Sequence, residues 1–193
     1  NKLGKLNKLK TVYTPANATY TMDYEMADCS QDMPNRRWVM NYVKIFDGHS
    51  GDGEDNIRYA FSYENGYYNR SERTFMGFDK VESRQLNTAS DPYRKTIEKY
   101  HNRDFLFSGI KYYQATLDGH DNLYTEKKYT YKMKEIATGD TIPQDSIQCY
   151  GPYYPAISEE ETFYYEGQTT PQIKTRKKYV HGAYGNIVEI NDL

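Results

Sequence analysis

The stretch that most constrains this fold is residues 56–64, whose side chains alternate between two environments. One face carries apolar and aromatic side chains: Ile57, Tyr59, Phe61 and Tyr63. A period of two residues is typical of a β-strand. Asn65-Gly66 follows, and this dipeptide suits a type I′ turn because both residues tolerate positive φ. We therefore predict a hairpin that turns at Asn65-Gly66, and such a hairpin needs neighbouring strands to be stable in water.

The same pattern recurs along the chain, between turns rich in glycine, proline and aspartate. Strands are predicted at residues 19–26, 38–46, 93–100, 111–117, 123–136, 173–180 and 187–190. For residues 93–100 a helix is the alternative, and the neighbouring strands favour a strand. Residues 1–10 are predicted to form two strand fragments around Gly4-Lys5, because Gly4 weakens the alternative, a short basic helix.

Together these segments predict one all-β unit spanning residues 1–193. Its ten to twelve strands would form antiparallel hairpins in a twisted, curved open sheet, since strands this close in sequence pair with their neighbours. Residues 138–161 contain several glycines and prolines and are predicted to be an irregular loop region. A loop of this length is functional or poorly ordered in most compact domains.

The composition excludes some classes of protein. The net charge is −2, so there is no electrostatic reason to expect binding to nucleic acid or to an anionic membrane. The mean hydropathy of −0.97 is low, but the 22 tyrosines bury well in sheets, so the chain is expected to fold. No apolar run approaches the roughly 20 residues of a membrane-spanning helix.

The first residue and the cysteines bear on the origin of the chain. Asn1 is not a natural initiator, so the chain is expected to be a processed or excised piece of a longer protein. The lack of a signal peptide therefore does not favour the cytoplasm. Cys29 and Cys149 are predicted to be two free thiols, with a single disulfide as the alternative.

Several segments resemble one protein family in their order and spacing. They are residues 14–25, 32–48, 61–81 and 100–131. The resemblance is to the region between the amino-terminal propeller part and the Rhs/YD-repeat part of insecticidal toxin complex B components. The most specific segment is GYYNRSERTFMGF, residues 66–78.

This resemblance implies a secreted or cell-surface bacterial protein of the Rhs/YD-repeat type. In that family, strips of β-hairpins curl into a hollow shell that holds a toxic carboxy-terminal domain. The chain would then be a structural segment without catalysis or cofactor, and its partners would be other segments of the same polypeptide or a toxin domain. At most three YD-like units occur here, too few to close a shell, and Ala183-Tyr184-Gly185-Asn186 lacks the aspartate of a typical unit.

The loop between the strands at 38–46 and 56–64 is a weak candidate for calcium binding. Its carboxylates are Asp47, Asp52, Glu54 and Asp55. Calcium prefers several oxygen ligands, although the spacing does not match an EF-hand loop. The alternative, a solvated hairpin loop, is favoured.

A carbohydrate-binding surface is the alternative function. Tyr153 and Tyr154 lie in a Gly-Pro-Tyr-Tyr-Pro segment and are the weak candidates for ligand contact, because exposed aromatic rings stack on sugars. The chain would then be a surface glycan-binding module of a secreted bacterial protein. A scaffold segment should expose strand edges, whereas a module should close into a sandwich. No nucleophile and base arrangement is evident, so we expect no enzyme.

Overall fold

A computed structural model describes residues 7–49, 51, 56–87, 89–143 and 151–193. The described residues contain eleven strands and a 3-10 turn at Ala183–Gly185. The strands are β1 (Thr11–Tyr13), β2 (Thr19–Met26), β3 (Trp38–Phe46), β4 (Asn56–Asn69), β5 (Thr74–Leu86), β6 (Pro92–Tyr100), β7 (Lys111–Asp118), β8 (Leu123–Glu135), β9 (Tyr153–Tyr164), β10 (Ile173–His181) and β11 (Ile187–Asp192).

The strands form a single sheet whose spatial order is the order of the sequence, from β1 to β11. Every ladder is antiparallel and joins consecutive strands. The predicted all-β open sheet of antiparallel hairpins is therefore confirmed. The sheet stays uncurled, so the predicted curvature does not bring its two ends together.

Alternation of side chains placed many strand boundaries correctly. The predictions for residues 19–26 and 38–46 coincide with β2 and β3. Residues 93–100 lie in β6, so the strand was the right choice over the helix. The turn at residues 118–121 joins β7 to β8, where Asp118 Oδ1 accepts hydrogen bonds from the backbone N–H groups of His120 and Asn122.

The predicted turn at Asn65-Gly66 is wrong. β4 runs through both residues, and the chain reverses later, between Asn69 and Thr74. Asn65 does adopt a positive φ of 54°, but the ladder with β5 shifts register between Gly66 and Tyr68. The backbone freedom of this dipeptide thus accommodates a β-bulge within a long strand, not a reversal.

The irregular region predicted at residues 138–161 is shorter than expected. β9 begins at Tyr153, so residues 153–161 belong to a regular strand. Thr141 still forms an isolated bridge with Lys134 before the gap in the described residues. Cys29 is free and exposed, and the other cysteine, Cys149, lies outside the described residues, as do residues 1–6.

The sheet forms a single layer, so little of the chain is deeply buried. The chain exposes 12527 Å², whereas surface scaling gives roughly 9,500 Å² for a compact monomer of its mass. The buried apolar residues of the described part are Met33, Met76, Ala115, Met133 and Ala156. The sheet is therefore not one half of a closed sandwich within these residues.

Buried carboxylates organise part of one face of this layer. Glu82 on β5 is 7% exposed, and its Oε1 lies 2.6 Å from Arg84 Nε and 3.9 Å from Lys95 Nζ. Glu126 on β8 is 9% exposed and accepts a hydrogen bond from the Tyr165 hydroxyl at 3.0 Å. Basic side chains neutralise both carboxylates: Arg84 and Lys95 approach Glu82, and Lys128 Nζ lies 3.3 Å from Glu126 Oε1.

Candidate functional site

The most distinctive local feature is the half of the β4–β5 hairpin that extends past its neighbours. β3 pairs with β4 only from Asn56 to Ala60, and β6 pairs with β5 only from Lys80 onward. Residues 61–79 therefore project beyond the flanking strands, and we name them the projecting hairpin. It contains the GYYNRSERTFMGF segment, residues 66–78.

One side of the projecting hairpin is covered by the β2–β3 loop, residues 27–37. Met33 is 3% exposed, and it lies so close to Gly66 that a Cβ there would stand 2.5 Å from Met33 Sδ. The Tyr68 N–H donates to the Asp32 carbonyl at 2.8 Å. The loop is itself held by a turn in which Ser30 Oγ accepts from the Met33 N–H at 3.0 Å. It thus supplies a hydrogen-bond acceptor where β3 no longer reaches.

The other side is covered by the β6–β7 loop, residues 101–110. Asn102 is 3% exposed, and its Nδ2 donates to the carbonyls of Asn65 at 2.7 Å and Gly77 at 3.1 Å. Ser108 Oγ donates to the Met76 carbonyl at 3.2 Å. One buried amide thus joins the bulge in β4 to the corresponding part of β5.

The two loops meet through an ion pair. Arg103 Nη2 lies 2.7 Å from Asp32 Oδ2, and its guanidinium stands 4.4 Å from the centroid of the Tyr67 ring. The hydrogen bond from Arg103 lowers the pKa of the Asp32 carboxyl, which burial opposes only in part. The contact joins residues 71 positions apart.

A groove of about 600 Å³ lies between the β2–β3 loop and the projecting hairpin. Its lining includes Glu25 and Asp28 on one side and Tyr63 and Phe78 on the other. The rings of Tyr63 and Phe78 stand 5.0 Å apart at an angle of 47°. This groove adjoins the projecting hairpin directly, since Tyr63, Gly66 and Phe78 belong to both.

The calcium candidates are only partly described. Asp47 Oδ1 accepts a hydrogen bond from the backbone N–H of His49 at 2.9 Å, which is the geometry of a capped turn. Asp52, Glu54 and Asp55 lie outside the described residues. Calcium binding by this loop therefore stays a prediction, and the described portion groups no three His, Cys, Asp or Glu side chains suited to a metal ion.

Tyr153 and Tyr154 are not loop residues, and this part of the prediction is wrong. Both begin β9 and both are half-buried. The Tyr154 ring packs 6.4 Å from His181, and its hydroxyl is buried. A sugar-stacking platform needs exposed ring faces, so their position does not favour contact with a glycan.

The residues that brace the projecting hairpin were not identified from the sequence as a site. Asp32, Met33, Asn102 and Arg103 all lie in loops. Two signals pointed to them: large apolar residues within short polar loops, which indicate packing, and their positions at the start of segments 32–48 and 100–131. The first signal alone would have marked Met33 and the Phe105-Leu106-Phe107 run.

The fold and the braced hairpin define a class of protein, an open strip of antiparallel β-hairpins stiffened by its loops. The family model described as the insecticide toxin TcdB middle/N-terminal region matches residues 1–108, more than half of the chain. The chain belongs to this family, so the resemblance to toxin complex B components is confirmed. Among curated proteins, none matches the chain.

Solved structures share the fold. A TcdB2-TccC3-TEV crystal structure aligns with a TM-score of 0.72 at 12% identity over 95% of this chain, and TcdB2-TccC3 without its hypervariable C-terminal region aligns with 0.69 at 12% over 91%. A Photorhabdus luminescens Tc holotoxin pore aligns with 0.73 at 13% over 96%. The chain spans only 11% to 12% of the length of these chains.

No helix in the described part of the chain combines the length and the apolar character needed to cross a bilayer.

Replacing Asn102 by alanine should weaken the projecting hairpin. The change removes the two hydrogen bonds that the buried Asn102 side chain donates and leaves the carbonyls of Asn65 and Gly77 without this donor. We expect the free energy of unfolding to fall by about 1–3 kcal/mol, measured by urea denaturation. Asn191→Ala, on exposed β11, serves as the matched control and should have little effect. Equal losses for the two variants would contradict the role of Asn102.

Gly66→Ala should destabilise the chain through a steric clash with Met33. A Cβ at this position would lie 2.5 Å from Met33 Sδ and 3.0 Å from Phe78 Cε1. We expect a loss of about 1–3 kcal/mol, which should become smaller in a Met33→Ala background. Gly77→Ala is the control, because its φ of 92° causes strain with nothing within 4 Å. The loss of stability in Gly77→Ala should not depend on Met33. If the Met33→Ala background reduced the loss equally for both glycine variants, the clash would be refuted.

The pKa of Asp32 should rise when Arg103 is replaced by glutamine. The hydrogen bond from Arg103 lowers this pKa in the folded chain. The ion pair therefore contributes its full stabilisation above the ordinary carboxyl pKa. This stabilisation is lost as the pH falls through the lowered pKa of Asp32. An NMR titration of the Asp32 carboxyl carbon measures the shift. An unchanged pKa in Arg103→Gln would show that the ion pair does not form in solution.

Proposed function

We propose that this chain is a non-enzymatic structural segment of a secreted bacterial toxin of the Rhs/YD-repeat, toxin-complex-B-like type. Its role is to build part of a β-shell that encloses or presents another polypeptide. The observation that carries the proposal is the open, single-layer sheet, in which β11 has a paired strand on one side only among the described residues. Membership of the TcdB family supports it.

The exposed edge is β11, which within the described residues pairs only with β10. Its apolar side chains are largely in solvent: Ile187, Val188 and Ile190, with exposed fractions of 48%, 65% and 54%. Natural sheets protect such edges with charges, prolines or covering loops, because an unpaired apolar strand recruits another strand. We infer that β11 accepts a further strand of the same long polypeptide.

The register of β10 and β11 shows which backbone groups face outward. Leu193 and Arg176 exchange both backbone hydrogen bonds, and the register pairs Tyr179 with Ile190 and Val180 with Glu189. Hydrogen-bonded and non-hydrogen-bonded pairs alternate along an antiparallel ladder, and Arg176 with Leu193 is a hydrogen-bonded pair. The N–H of Glu189 therefore points toward β10, and the N–H of Ile190 points away from it. Proline at these two positions therefore tests the two sides of one strand separately.

Ile190→Pro should leave the isolated chain almost unaffected and should disrupt the full-length polypeptide that contains it. The substitution removes an outward N–H, which the next strand would need for pairing, and the Ile190 side chain, which is 54% exposed, while the backbone bonds to β10 stay intact. Limited proteolysis of the full-length polypeptide, together with native size analysis, measures the effect. We expect the region that follows β11 to lose protection from protease, while thermal unfolding of the isolated chain changes little.

Glu189→Pro is the matched control, because it removes an N–H that faces β10 and should destabilise both forms. If Ile190→Pro leaves the protease pattern of the full-length polypeptide unchanged, β11 is not a joint between shell segments. If the unaltered full-length polypeptide protects no region from protease, the shell itself is refuted.

A further inference from the structure

Arginine and lysine are distributed unevenly around the projecting hairpin. The hairpin and its two covering loops, residues 27–37, 61–79 and 101–110, contain five of the nine arginines of the chain and none of its sixteen lysines. The five are Arg36, Arg37, Arg70, Arg73 and Arg103. Both residue types are cations, so a need for positive charge alone does not explain this distribution.

The chemistry of the guanidinium group indicates what this surface contacts. A guanidinium is planar, stacks on aromatic rings and binds a carboxylate through two parallel hydrogen bonds, whereas an ammonium group acts as a point charge. Arginine is enriched and lysine is depleted at interfaces between proteins. Anionic membranes and nucleic acids attract both residue types through their charge. The absence of lysine therefore favours a contact with the carboxylates of a polypeptide.

The tip of the projecting hairpin is accessible to a partner. Residues 70–73 are exposed, and they lie beyond the last pairs that β3 and β6 make with β4 and β5. The hairpin stands between β3 and β6, whereas the described strip begins with β1 and ends with β11. A further strand of the strip would join at one of its edges, so the tip suits a different partner.

Two of the arginines are held over aromatic rings. The Arg103 guanidinium lies 4.4 Å from the Tyr67 centroid and pairs with Asp32, which completes a unit of ring, guanidinium and carboxylate. The Arg37 guanidinium lies 4.3 Å from the Phe75 centroid. Holding an arginine in place before a partner binds lowers the entropy that is lost in binding.

Three exposed arginines at this end have side chains that make no ion pair or hydrogen bond among the described residues. They are Arg36, Arg37 and Arg73. The contact between Arg37 and Phe75 brings them to the same end of the hairpin, since Arg36 precedes Arg37 and Arg73 lies two positions before Phe75. Their N–H donors are therefore available to a partner.

The local charge has the opposite sign to the charge of the whole chain. Residues 31–37 and 67–75 contain four arginines and two acids, Asp32 and Glu72. Arg103 already neutralises Asp32. This end of the hairpin is positive in a chain whose net charge is −2, so it attracts a negatively charged segment that the rest of the surface does not.

We propose that the projecting hairpin is a docking surface for an acidic segment of another polypeptide. Aspartate or glutamate side chains of that segment bind Arg36, Arg37 and Arg73, and Arg37 presents its donors from its place over the Phe75 ring. The inference goes beyond the shell role, because it needs neither pairing at β11 nor the closure of a shell.

Fluorescence anisotropy of a labelled Gly-Asp-Ser-Glu-Ser-Asp-Gly peptide, titrated with the 193-residue chain, tests the proposal. A Gly-Asn-Ser-Gln-Ser-Asn-Gly peptide is the uncharged control and should bind more weakly. The triple variant Arg36→Lys, Arg37→Lys, Arg73→Lys keeps the net charge but loses the planar donors. We expect it to weaken binding of the acidic peptide by about tenfold.

A second triple variant is the matched control. Arg84→Lys, Arg94→Lys, Arg176→Lys makes the same chemical change outside the hairpin and its loops, and it should change binding less than about twofold. Phe75→Leu removes the ring beneath Arg37 without changing the charge and should also weaken binding. Circular dichroism confirms that each variant is folded.

Four results would overturn the proposal. The first is equal losses for the two triple variants, and the second is equal binding of the acidic and uncharged peptides by the unaltered chain. The third is tighter binding to vesicles of phosphatidylserine than to the peptide, which would identify a membrane as the partner. The fourth is self-association of the chain alone, measured by sedimentation, that the first triple variant abolishes, because the partner would then be a second copy.

Discussion

Backbone hydrogen bonding between consecutive strands is the interaction on which the rest of this structure depends. In layered domains the burial of side chains between layers contributes most of the favourable free energy. Here one layer of strands carries the fold, and the described residues include no large side chain that is fully buried. Each ladder bond contributes little in net terms, about 0.5–1.5 kcal/mol, so the sheet needs many of them in an unbroken series.

The side chains contribute mainly by pairing across strands. Tyr63 and Phe78 do so on adjacent strands. The ammonium groups of Lys128 on β8 and Lys174 on β10, the two strands that flank β9, each lie 5.0 Å from the centroid of the Phe163 ring. Such pairs are the unit of stabilisation in sheets, and they require no second layer. This explains why a chain with a mean hydropathy of −0.97 nevertheless folds. Tyrosine rings and the aliphatic parts of lysine side chains pack on the sheet, as leucine and valine side chains do in a core.

The sequence predicted the strands well because their signal is local. Alternation over eight or nine residues determined β2 and β3, since a period of two follows from the geometry of the strand itself. The bulge at Asn65-Gly66 was missed because a turn and a bulge need the same backbone freedom. Met33 and Asn102, both more than 30 positions away, favour the bulge, and no local pattern reports them.

Proline misled the prediction for β9 in a related way. Pro155 suggested a loop because proline lacks the N–H that a central strand needs. In the structure the β9–β10 ladder covers only Glu159 to Tyr164, so Pro155 lies where β9 has β8 on one side and no ladder to β10 on the other. The absent N–H of Pro155 therefore removes no hydrogen bond to β10. This depends on the register of β10, which begins some twenty residues later in the chain. The weak candidates Tyr153 and Tyr154 were chosen on the same assumption, and the same register removes the reason for choosing them.

A strip in which every ladder is local has no internal reason to hold one shape, because each hairpin constrains only its neighbours. The braces around the projecting hairpin supply that constraint. The contact between Asp32 and Arg103 spans 71 positions and joins the loops on either side of β4 and β5. It links the β2–β3 loop directly to the β6–β7 loop, a connection that no ladder among the described residues makes. Asp32 and Arg103 lie at the start of segments 32–48 and 100–131, and along the chain these two segments flank residues 66–78, the segment that most specifically resembles the toxin family.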